Sequence, residues 1–402
     1  MTAEYYVWLQ QVLGFGSEAM SRVLSVYGTA KAFWEAPDSE KIAKCRLSKV
    51  QAERLHKISR RKVYSILNES IKSGINIITP EDELYPIRLR NIPDPPAVLY
   101  VKGEMFNIDN LPVISIVGPR KISFYGERCA YVVANTLSSA GFTVVSGGAV
   151  GGDKAAHIGA LDAGGKTIAV LGAGINSDYL KTNADLRERI AENGCLITEY
   201  PTSTDVTKGT FQQRNRILSG LADGVIVIEG GERSGTLITA RHAAEQGRDV
   251  FVVPGSPSLP QYAGSNRLLS DGAKPLLNIN DVISEYALKY PCLIRVSIER
   301  SKMPSYSDDE TVSVVSKQTK MQGDDNSCSS ATPPIDEVDL SQLSDSARNV
   351  YEAIGKLQMP EFTADDIVDS TAMDVGDVLG SFTELEIFGM VVTLPGGRLK
   401  LV

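Results

Sequence analysis

A repeated succession of short apolar strand, glycine-containing turn and helix runs from Leu111 to about Glu285 and limits the possible folds of this chain. The predicted strands are Val113–Val117, Thr143–Val145, Thr167–Leu171, Leu196–Thr198, Val225–Ile228 and Val250–Val253. The predicted helices between them include Glu127–Ala140, Asp153–Ala163, Ala184–Glu192 and Thr236–Gln246. The strands are apolar without alternation, as expected when helices cover both faces of a sheet. The sequence therefore predicts an α/β domain with a Rossmann-like, doubly wound sheet.

Residues 1–75 form a predicted helical domain. The pattern Leu13-Gly14-Phe15-Gly16 separates two helical segments and is similar to a helix-hairpin-helix turn, whose amides can hold a DNA phosphate. An ordinary turn in a helical bundle is the alternative. The segment Lys41–Lys62 carries nine Lys/Arg against one acidic residue, Glu53. Such a run either attracts a polyanion or forms a solvated helix surface. We therefore predict a domain of the SAM or helix-hairpin-helix type.

Three further segments follow. Residues 76–296 comprise a proline-rich extension with a strand at Val98–Val101, and then the α/β domain. Residues 297–338 are rich in Ser, Asp, Thr and Lys and lack apolar periodicity, which predicts a disordered linker. Residues 339–402 regain periodicity, and three helices and a terminal hairpin predict a winged helix. These elements are Ser344–Leu357, Thr363–Val368, Val375–Phe388, Met390–Leu394 and Arg398–Val402.

The acidic charge is concentrated at the C-terminal end. The whole chain has a formal net charge of −8, but residues 335–402 alone hold 13 Asp/Glu and 4 Lys/Arg. The remainder carries 37 basic and 36 acidic residues. The average charge of the whole chain therefore does not exclude nucleic acid as a ligand of residues 1–334. The acidic winged helix is better suited to protein binding or oligomerisation than to phosphate contact.

Cysteine usage and hydropathy favour a protein of the reducing cytoplasm. The five cysteines are scattered without a CxxC pair, so neither a disulfide framework nor a zinc site is predicted. The first residues lack the basic and apolar regions of a signal peptide. No apolar run approaches the roughly 20 residues of a membrane helix, so we expect no membrane association.

Glycine-rich or polar turns follow five predicted strands. They are Gly118–Lys121, Ser146–Asp153, Gly172–Gly174, Gly230–Thr236 and Pro254–Ser256. Ligands of open α/β sheets bind at the carboxyl ends of strands. Glycine lets a ligand approach the backbone, and its N–H groups form anion-binding nests. Any one turn has a structural explanation, but together the turns predict a site for a phosphate-containing ligand.

Basic residues accompany these turns. They are Arg120, Lys121, Lys154, Arg214, Arg216, Arg233 and Arg241. Arg214 and Arg216 flank Asn215, and two positions apart they share a helix face only at an irregular helix start. That position would suit paired phosphates. The alternative is an ion pair with Glu229 or Asp223.

Motifs for nucleotide cofactors and for common catalytic sites are absent from the sequence. There is no GxGxxG and no GxxxxGK[ST], so NAD and ATP are disfavoured. There is no GxSxG, HExxH or clustered carboxylate pair. His157 is interpreted as a core or surface histidine rather than a base, and Asp153 as a helix N-cap. No cofactor, metal or catalytic residue is predicted.

Seven motifs, in order, resemble those of the bacterial DNA-processing protein A family, also called Smf. They are VGPRKISFYG (117–126), SGGAVGGDKAAH (146–157), GKTIAVL (165–171), FQQRNR (211–216), SGTLITA (234–240), PGS (254–256) and GSNRLLSDGA (264–273). The upstream stretch YPIRLRNIPDPPAVLYVKG (85–103) is similar to the lead-in of the family. The resemblance covers about residues 76–285, and the three-part layout matches more loosely.

The resemblance implies a protein that binds single-stranded DNA, protects incoming strands and loads the RecA recombinase during natural transformation. It further implies a homodimer without accepted enzymatic activity. The implied contacts lie at Arg120, in the loop 147–151 and at 214–216. With neighbouring residues of the motifs, the predicted DNA-binding set is Arg120, Lys121, Ser123, Gly147, Gly148, Gly151, Lys154, Phe211, Arg214, Asn215, Arg216, Ser234, Gly235 and Thr236.

The chain departs from the family pattern in the second motif. Val150 occupies the position of a basic residue, and Gly152 replaces the isoleucine before the aspartate. Lys154 is a candidate replacement for the missing cation. A milder change puts Gln212 where the family has proline.

An enzymatic alternative comes from related Rossmann-like proteins, the nucleoside monophosphate phosphoribohydrolases, which use a PGGxGT turn and a glutamate on the next helix. The turn Gly230–Thr236 copies that pattern only in part. Glu245 lies later on the helix than such chemistry needs.

Overall fold

The computed structural model describes residues 2–177, 182–294, 296–304, 344–357, 362–371, 373–387, 391–394 and 398–401. The chain divides into two compact units, Met1–Ser316 and Lys317–Val402. The larger unit contains both the N-terminal helices and the α/β sheet. The predicted boundary near residue 75 therefore lies inside one unit.

The N-terminal part consists of short helices, as predicted. They are α1 (Ala3–Leu13), α2 (Ala19–Tyr27), α3 (Ala30–Glu35), α4 (Asp38–Cys45), α5 (Lys49–Lys57) and α6 (Arg60–Lys72). Ser48 and Gln51 form a capping box that begins α5 by satisfying its first free amides. Tyr6 and Leu9 of α1 share one apolar core with Leu196 of the sheet. This shared core makes the helices and the sheet one unit.

The sheet of the larger unit has nine strands among the described residues. They are β1 (Asn76–Ile78), β2 (Leu99–Gly103), β3 (Val113–Val117), β4 (Thr143–Ser146), β5 (Thr167–Val170), β6 (Gly194–Thr198), β7 (Gly224–Val227), β8 (Asp249–Val252) and β9 (Lys274–Pro275). Their order is β1-β2-β6-β5-β4-β3-β7-β8-β9. Strands β3 to β9 pair in parallel, and β1 and β2 extend one edge antiparallel. The predicted strands are confirmed, while the short edge strands β1 and β9 were not predicted.

Helices cover both faces of this sheet. They are α7 (Ile87–Arg90), α8 (Phe124–Ser139), α9 (Gly152–Asp162), α10 (Ala184–Glu192), α11 (Lys208–Leu221), α12 (Gly235–Glu245), α13 (Ala263–Ser270), α14 (Ile279–Tyr286) and α15 (Ile298–Ser301). Helices α8, α9 and α14 pack on one face, and α11 and α12 on the other. The doubly wound prediction is confirmed, and it explains the apolar runs: each residue of β3 is at most 3% exposed. Full burial of such a side chain contributes about 1.5–3 kcal/mol.

The order of strands creates one topological switch point. After β3 the chain builds β4, β5 and β6 on one side, and then returns to place β7 and β8 on the other. Loops from β3 and β7 consequently diverge and leave a crevice at the carboxyl ends of the strands. Such crevices are the usual ligand sites of open α/β sheets.

The folded part of the larger unit extends past the predicted start of the linker at residue 297. Helix α15 follows that point, its Ser301 is fully buried, and Lys302 pairs with Asn278 in a β-bridge. Backbone contacts with α8 and α14 therefore order residues that composition alone assigns to a linker. The rest of the predicted linker, from residue 305, lies outside the described residues.

The smaller unit is a winged helix, as predicted. Its elements are α16 (Asp345–Leu357), α17 (Ala364–Thr371), α18 (Val375–Ile387), β10 (Val391–Leu394) and β11 (Arg398–Leu401). The strands pair antiparallel, and the helices enclose a small apolar core around Phe362 and Phe382. Ser344 accepts a hydrogen bond from the Ala347 amide at 3.2 Å and so caps the start of α16.

Candidate nucleic-acid interface

A groove of about 510 Å³ lies at the switch point, between the loops that follow β3, β4 and β7 and the start of α11. Seven of the predicted contact residues line it. They are Arg120, Phe211, Arg214, Asn215, Ser234, Gly235 and Thr236. The groove also takes in Asp153 and Arg233, together with Ile238 and Thr239 from the next turn of α12. Ile238 and Thr239 stand three and four residues after Gly235, so these residues lie on one face of α12.

Arg120 and Phe211 form the exposed side of the groove. The Arg120 guanidinium carbon lies 4.4 Å from the centre of the Phe211 ring. Arg120 is exposed, and the half-buried ring rests against Gly172, where an added Cβ would lie 2.8 Å from Phe211 Cδ1. The ring is therefore packed against the backbone of Gly172, and the Arg120 guanidinium makes a cation–π contact with the ring.

Arg233 supplies a second exposed cation. It lies in the loop between β7 and α12, and it makes no hydrogen bond or ion pair with other residues that the structure describes. Arg233 was recognised in the sequence as a basic residue near a strand end but was not included among the DNA contacts. The position of its loop beside α11 depends on the sheet order, which the sequence does not specify.

Arg214 lies deeper, under the glycine loop. Its side chain is buried, and Nη1 donates a hydrogen bond to the carbonyl of Val170 at the end of β5. A Cβ added at Gly147 would overlap both the Arg214 guanidinium and the Asp153 carboxylate. Only glycine at position 147 lets these two charged groups approach the same piece of backbone.

Asp153 is the negative partner in this buried layer. Burial raises the pKa of Asp153 above its ordinary value, and the nearby Arg214 charge opposes that rise. Its Oδ2 accepts a hydrogen bond from the Ala149 amide at 3.4 Å. Asp153 therefore holds the loop after β4 rather than capping α9, which begins at Gly152 without a side-chain cap.

His157 is a core histidine, in agreement with the preferred interpretation of the sequence. It is fully buried, and its Nδ1 lies 2.8 Å from Thr167 Oγ1. The Thr167 hydroxyl donates its hydrogen to the Val144 carbonyl, so Nδ1 carries the proton of the neutral ring. Burial, with a smaller contribution from Arg214, lowers the pKa of His157 to about 3. The neutral ring supports the β4–β5 pairing.

The remaining loop glycines are explained by close packing of two loops. Gly148 and Gly151 have φ of +67° and +82°, which favour glycine. A Cβ at Gly151 would lie 2.6 Å from the carbonyl oxygen of Arg120, and a Cβ at Gly152 would lie 2.7 Å from Gly118 Cα. The glycines thus bring the loop after β4 against the loop after β3, and this contact positions the backbone of Arg120.

Arg216 does not line the groove. Its side chain is 2% exposed, and Nη1 and Nη2 donate to the two carboxylate oxygens of Glu199 at 3.0 and 2.7 Å. Its Nε lies 2.9 Å from Asp94 Oδ2. Burial alone would lower the pKa of Arg216, but Glu199 and Asp94 outweigh that effect and raise it. The expected alternative, an ion pair, is present, with Glu199 and Asp94 in place of Glu229 or Asp223.

Arg214 and Arg216 have different surroundings because they lie on helix α11, a helix that was not predicted from the sequence. Arg214 and Arg216 lie in its middle, where side chains two residues apart point in directions about 160° apart around the helix axis. One arginine therefore faces the glycine loop and the other faces the N-terminal helices. A start signal was present, because Thr207 and Thr210 form a capping box at the beginning of α11.

Asn215 connects two walls of the groove. Its side-chain Nδ2 donates to the carbonyl of Gly235 at 3.3 Å, which ties α11 to the first turn of α12. Ser234 caps α12 by accepting from the Thr236 amide, and Thr236 Oγ1 donates to the Glu229 carbonyl, both at 3.4 Å. The Gly235 amide donates to no group among the described residues. It is a free donor at a helix N-terminus, where anions are favoured.

Three predicted contacts lie beside the groove. Ser123 caps α8, and its backbone and side chain both donate to the Glu229 carboxylate, whose pKa burial raises. Lys121 is exposed and Lys154 half-buried, and neither makes an ion pair with the described residues. Val150, at the departure from the family motif, is 38% exposed. Its apolar side chain therefore occupies a solvent-facing position where the family places a cation.

A doubly wound sheet with glycine loops and exposed arginines at its switch point defines a Rossmann-like protein whose groove has the charge and backbone donors suited to an anionic ligand. The chain matches the family described as DNA recombination-mediator protein A over residues 76–287, and the DprA winged helix domain over residues 333–397. The chain belongs to this family of DNA-processing proteins.

Relatives support the assignment along the whole chain. Protein Smf of Synechocystis is 31% identical over 98% of this chain and 97% of its own length. DNA processing protein DprA of Bacillus subtilis is 40% identical over 53% of this chain and 72% of its own. The solved structure of DNA processing protein A from Streptococcus pneumoniae superposes with a TM-score of 0.62 and 32% identity, covering 71% of this chain and 98% of that one. Within the described residues, none of the helices has the length and hydropathy required to cross a membrane.

Proposed function

We propose that this protein binds single-stranded DNA in the switch-point groove, protects the strand and loads the RecA recombinase onto it during natural transformation. The observation that carries the proposal is the Arg120–Phe211 stack beside the free Gly235 amide. An aromatic ring offers a base a stacking surface, while a cation and an amide offer a phosphate its donors. Both parts of a nucleotide are thus accommodated in one groove.

The preference for a single strand follows from the position of the ring. Phe211 is half-buried at the edge of the groove, and a base reaches it only when it is unstacked from its neighbours. Unpaired bases meet this condition, and paired bases in a duplex do not. Lys121 and Lys154 flank the loops that border the groove, and we propose that they contact phosphates beyond it.

Recombinase loading and a homodimer are parts of the same proposal, and they rest on membership of the recombination-mediator family. We propose that the winged helix contributes a protein contact. Residues 335–402 carry a net charge of −9, which opposes binding to phosphates.

The enzymatic alternative is not favoured by the site. Glu245 lies at the end of α12, is 59% exposed on its side chain and contacts His242, and it does not line the groove. We therefore propose a binding protein, and turnover of AMP by the purified protein would contradict this view.

Fluorescence anisotropy with a labelled oligothymidine of roughly 16 nucleotides tests the proposal. The wild-type protein should prefer this strand to a duplex of the same length, and affinity should fall steeply between about 50 and 200 mM salt. Arg120→Gln with Arg233→Gln should weaken binding and reduce the salt slope by about 1.4, for two lost contacts. The double change Lys121→Gln with Lys154→Gln should have a smaller effect on affinity.

A matched control removes the same charge elsewhere. Lys72 and Lys102 are exposed, lie outside the groove and make no ion pair among the described residues. Their double change to glutamine should leave affinity close to that of the wild type. Equal losses in the control and in the Arg120/Arg233 variant would indicate non-specific attraction and would refute the site.

A further inference from the structure

A second cleft, of about 430 Å³, lies on the other side of the start of α11. The turn between α1 and α2 lines it with Gly14 and Phe15, and Arg54 and Lys62 of the basic segment also line it. Gln213 of α11 also lines the cleft. The cleft therefore joins the N-terminal helices to α11, the helix that carries Phe211 and Arg214 of the switch-point groove.

The backbone of the turn presents unused donors. Gly14 and Gly16 have φ of +80° and +61°, so the chain turns sharply where other residues would be strained. Gly14 N–H bonds to the Gln10 carbonyl, but the amides of Phe15 and Gly16 donate to no group among the described residues. The Phe15 ring packs on Tyr200 with ring centres 4.7 Å apart, which fixes the turn on the sheet.

The side chains of the cleft add positive charge without a counter-ion. Arg54 and Lys62 form no ion pair with residues that the structure describes, whereas Lys57 of the same basic run pairs with Glu53 at 3.2 Å. Arg54 Nη1 lies 3.0 Å from the position of a Cβ on Gly14, so its charge stands beside the turn. Among the residues that the structure describes, no carboxylate lines the cleft. Two cations and the free amide of Phe15 make the cleft a site for an anion, and the free Gly16 amide follows directly in the chain.

We propose that this cleft binds a backbone phosphate of the same DNA strand that occupies the switch-point groove. The inference rests on the proposed function. Gln212 lines the groove and Gln213 lines the cleft, so the two sites flank one exposed turn of α11. A helix with its side chains is about 10–12 Å wide, a span that a few nucleotides cover. The strand crosses this turn and ends on the N-terminal helices.

A length series of labelled oligothymidines tests the path. The variant Arg54→Gln with Lys62→Gln should bind the shortest strand that fills the groove as the wild type does. For a strand long enough to reach the cleft, its affinity should be about tenfold lower, as expected for two lost exposed ion pairs. Its salt slope should fall by about 1.4 for the long strand alone. Circular dichroism should report unchanged folding, because Lys62 is exposed and the half-buried Arg54 forms no ion pair with the described residues.

The control is Lys49→Gln with Arg61→Gln, two exposed cations of the same basic run that do not line the cleft and form no ion pair within the described part of the chain. This variant should match the wild type at every length. Wild-type affinity for the long strand in the Arg54/Lys62 variant, or equal losses in both variants, would overturn the inference while leaving the groove intact. Failure of the wild-type protein to bind any oligonucleotide would instead refute the proposed function itself, and the inference with it.

Discussion

Arg216 and Glu199 form a two-point ion pair inside the protein, with Nη1–Oε1 and Nη2–Oε2 distances of 3.0 and 2.7 Å. Both side chains are at most 3% exposed. Gln10 of α1 donates to the Glu199 carbonyl at 2.8 Å, so the pair stands where the N-terminal helices meet the sheet. An arginine of the FQQRNR motif therefore stabilises the fold instead of lining the groove.

Arg216→Met should lower the free energy of unfolding by about 3–5 kcal/mol, because it leaves the Glu199 carboxylate buried without its partner. Adding Glu199→Gln should recover part of the loss by removing that charge. Urea unfolding measures both values, and the exposed neighbour change Gln212→Met should stay within about 0.5 kcal/mol of the wild type. If Arg216→Met kept normal stability but lost DNA affinity, the guanidinium would have to contact the strand.

Gly147→Ala should destabilise the protein by about 1–3 kcal/mol, because the new methyl group displaces the Arg214 guanidinium and the Asp153 carboxylate. The matched change is Gly235→Ala, where no atom lies within 4 Å of the added Cβ. That variant should remain as stable as the wild type or gain up to about 1 kcal/mol. Similar unfolding midpoints for the two variants would contradict the packing described for Gly147.

Phe211→Leu should weaken binding of oligothymidine by about 1–3 kcal/mol, because the aliphatic side chain offers no face for a base or for Arg120. Phe211→Tyr keeps the ring and should bind within about threefold of the wild type. Anisotropy titrations at one salt concentration measure the difference, and thermal unfolding checks that both variants fold. Equal affinity of the two variants would show that the side chain of residue 211 does not bind DNA by stacking.

His157 should make stability fall as the medium becomes acidic. Its pKa is about 3 in the folded protein against an ordinary 6.5, so only the unfolded state takes up a proton between these values. Between about pH 7.5 and pH 5.5, protonation of this group in the unfolded state should lower the free energy of unfolding by about 1.4 kcal/mol. The variant His157→Gln lacks this contribution, and its stability should fall correspondingly less in the same two urea titrations. Parallel losses in both proteins would mean that the ring titrates normally.

The strands of the sheet were predictable because each is short, apolar and bounded by glycine or polar residues. Val113–Val117 was predicted with its observed bounds, since burial on both faces leaves no other pattern for such a run. Helix α11 was not predicted, because its polar sequence FQQRNR resembles a loop and its start depends on threonine caps. The edge strands β1 and β9 have two or three residues each, too few to carry a periodic signal.

Composition and motif order by themselves determined the class of fold and predicted a ligand at the carboxyl ends of the strands. They did not determine which arginine faces that ligand. Arg214 and Arg216 are chemically the same and two residues apart, and only the helical phase of α11 and the carboxylates of Glu199 and Asp94, which are distant in sequence, separate them. A charge is assigned to a ligand or to the core by the partners that surround it, and those partners meet only in the tertiary structure.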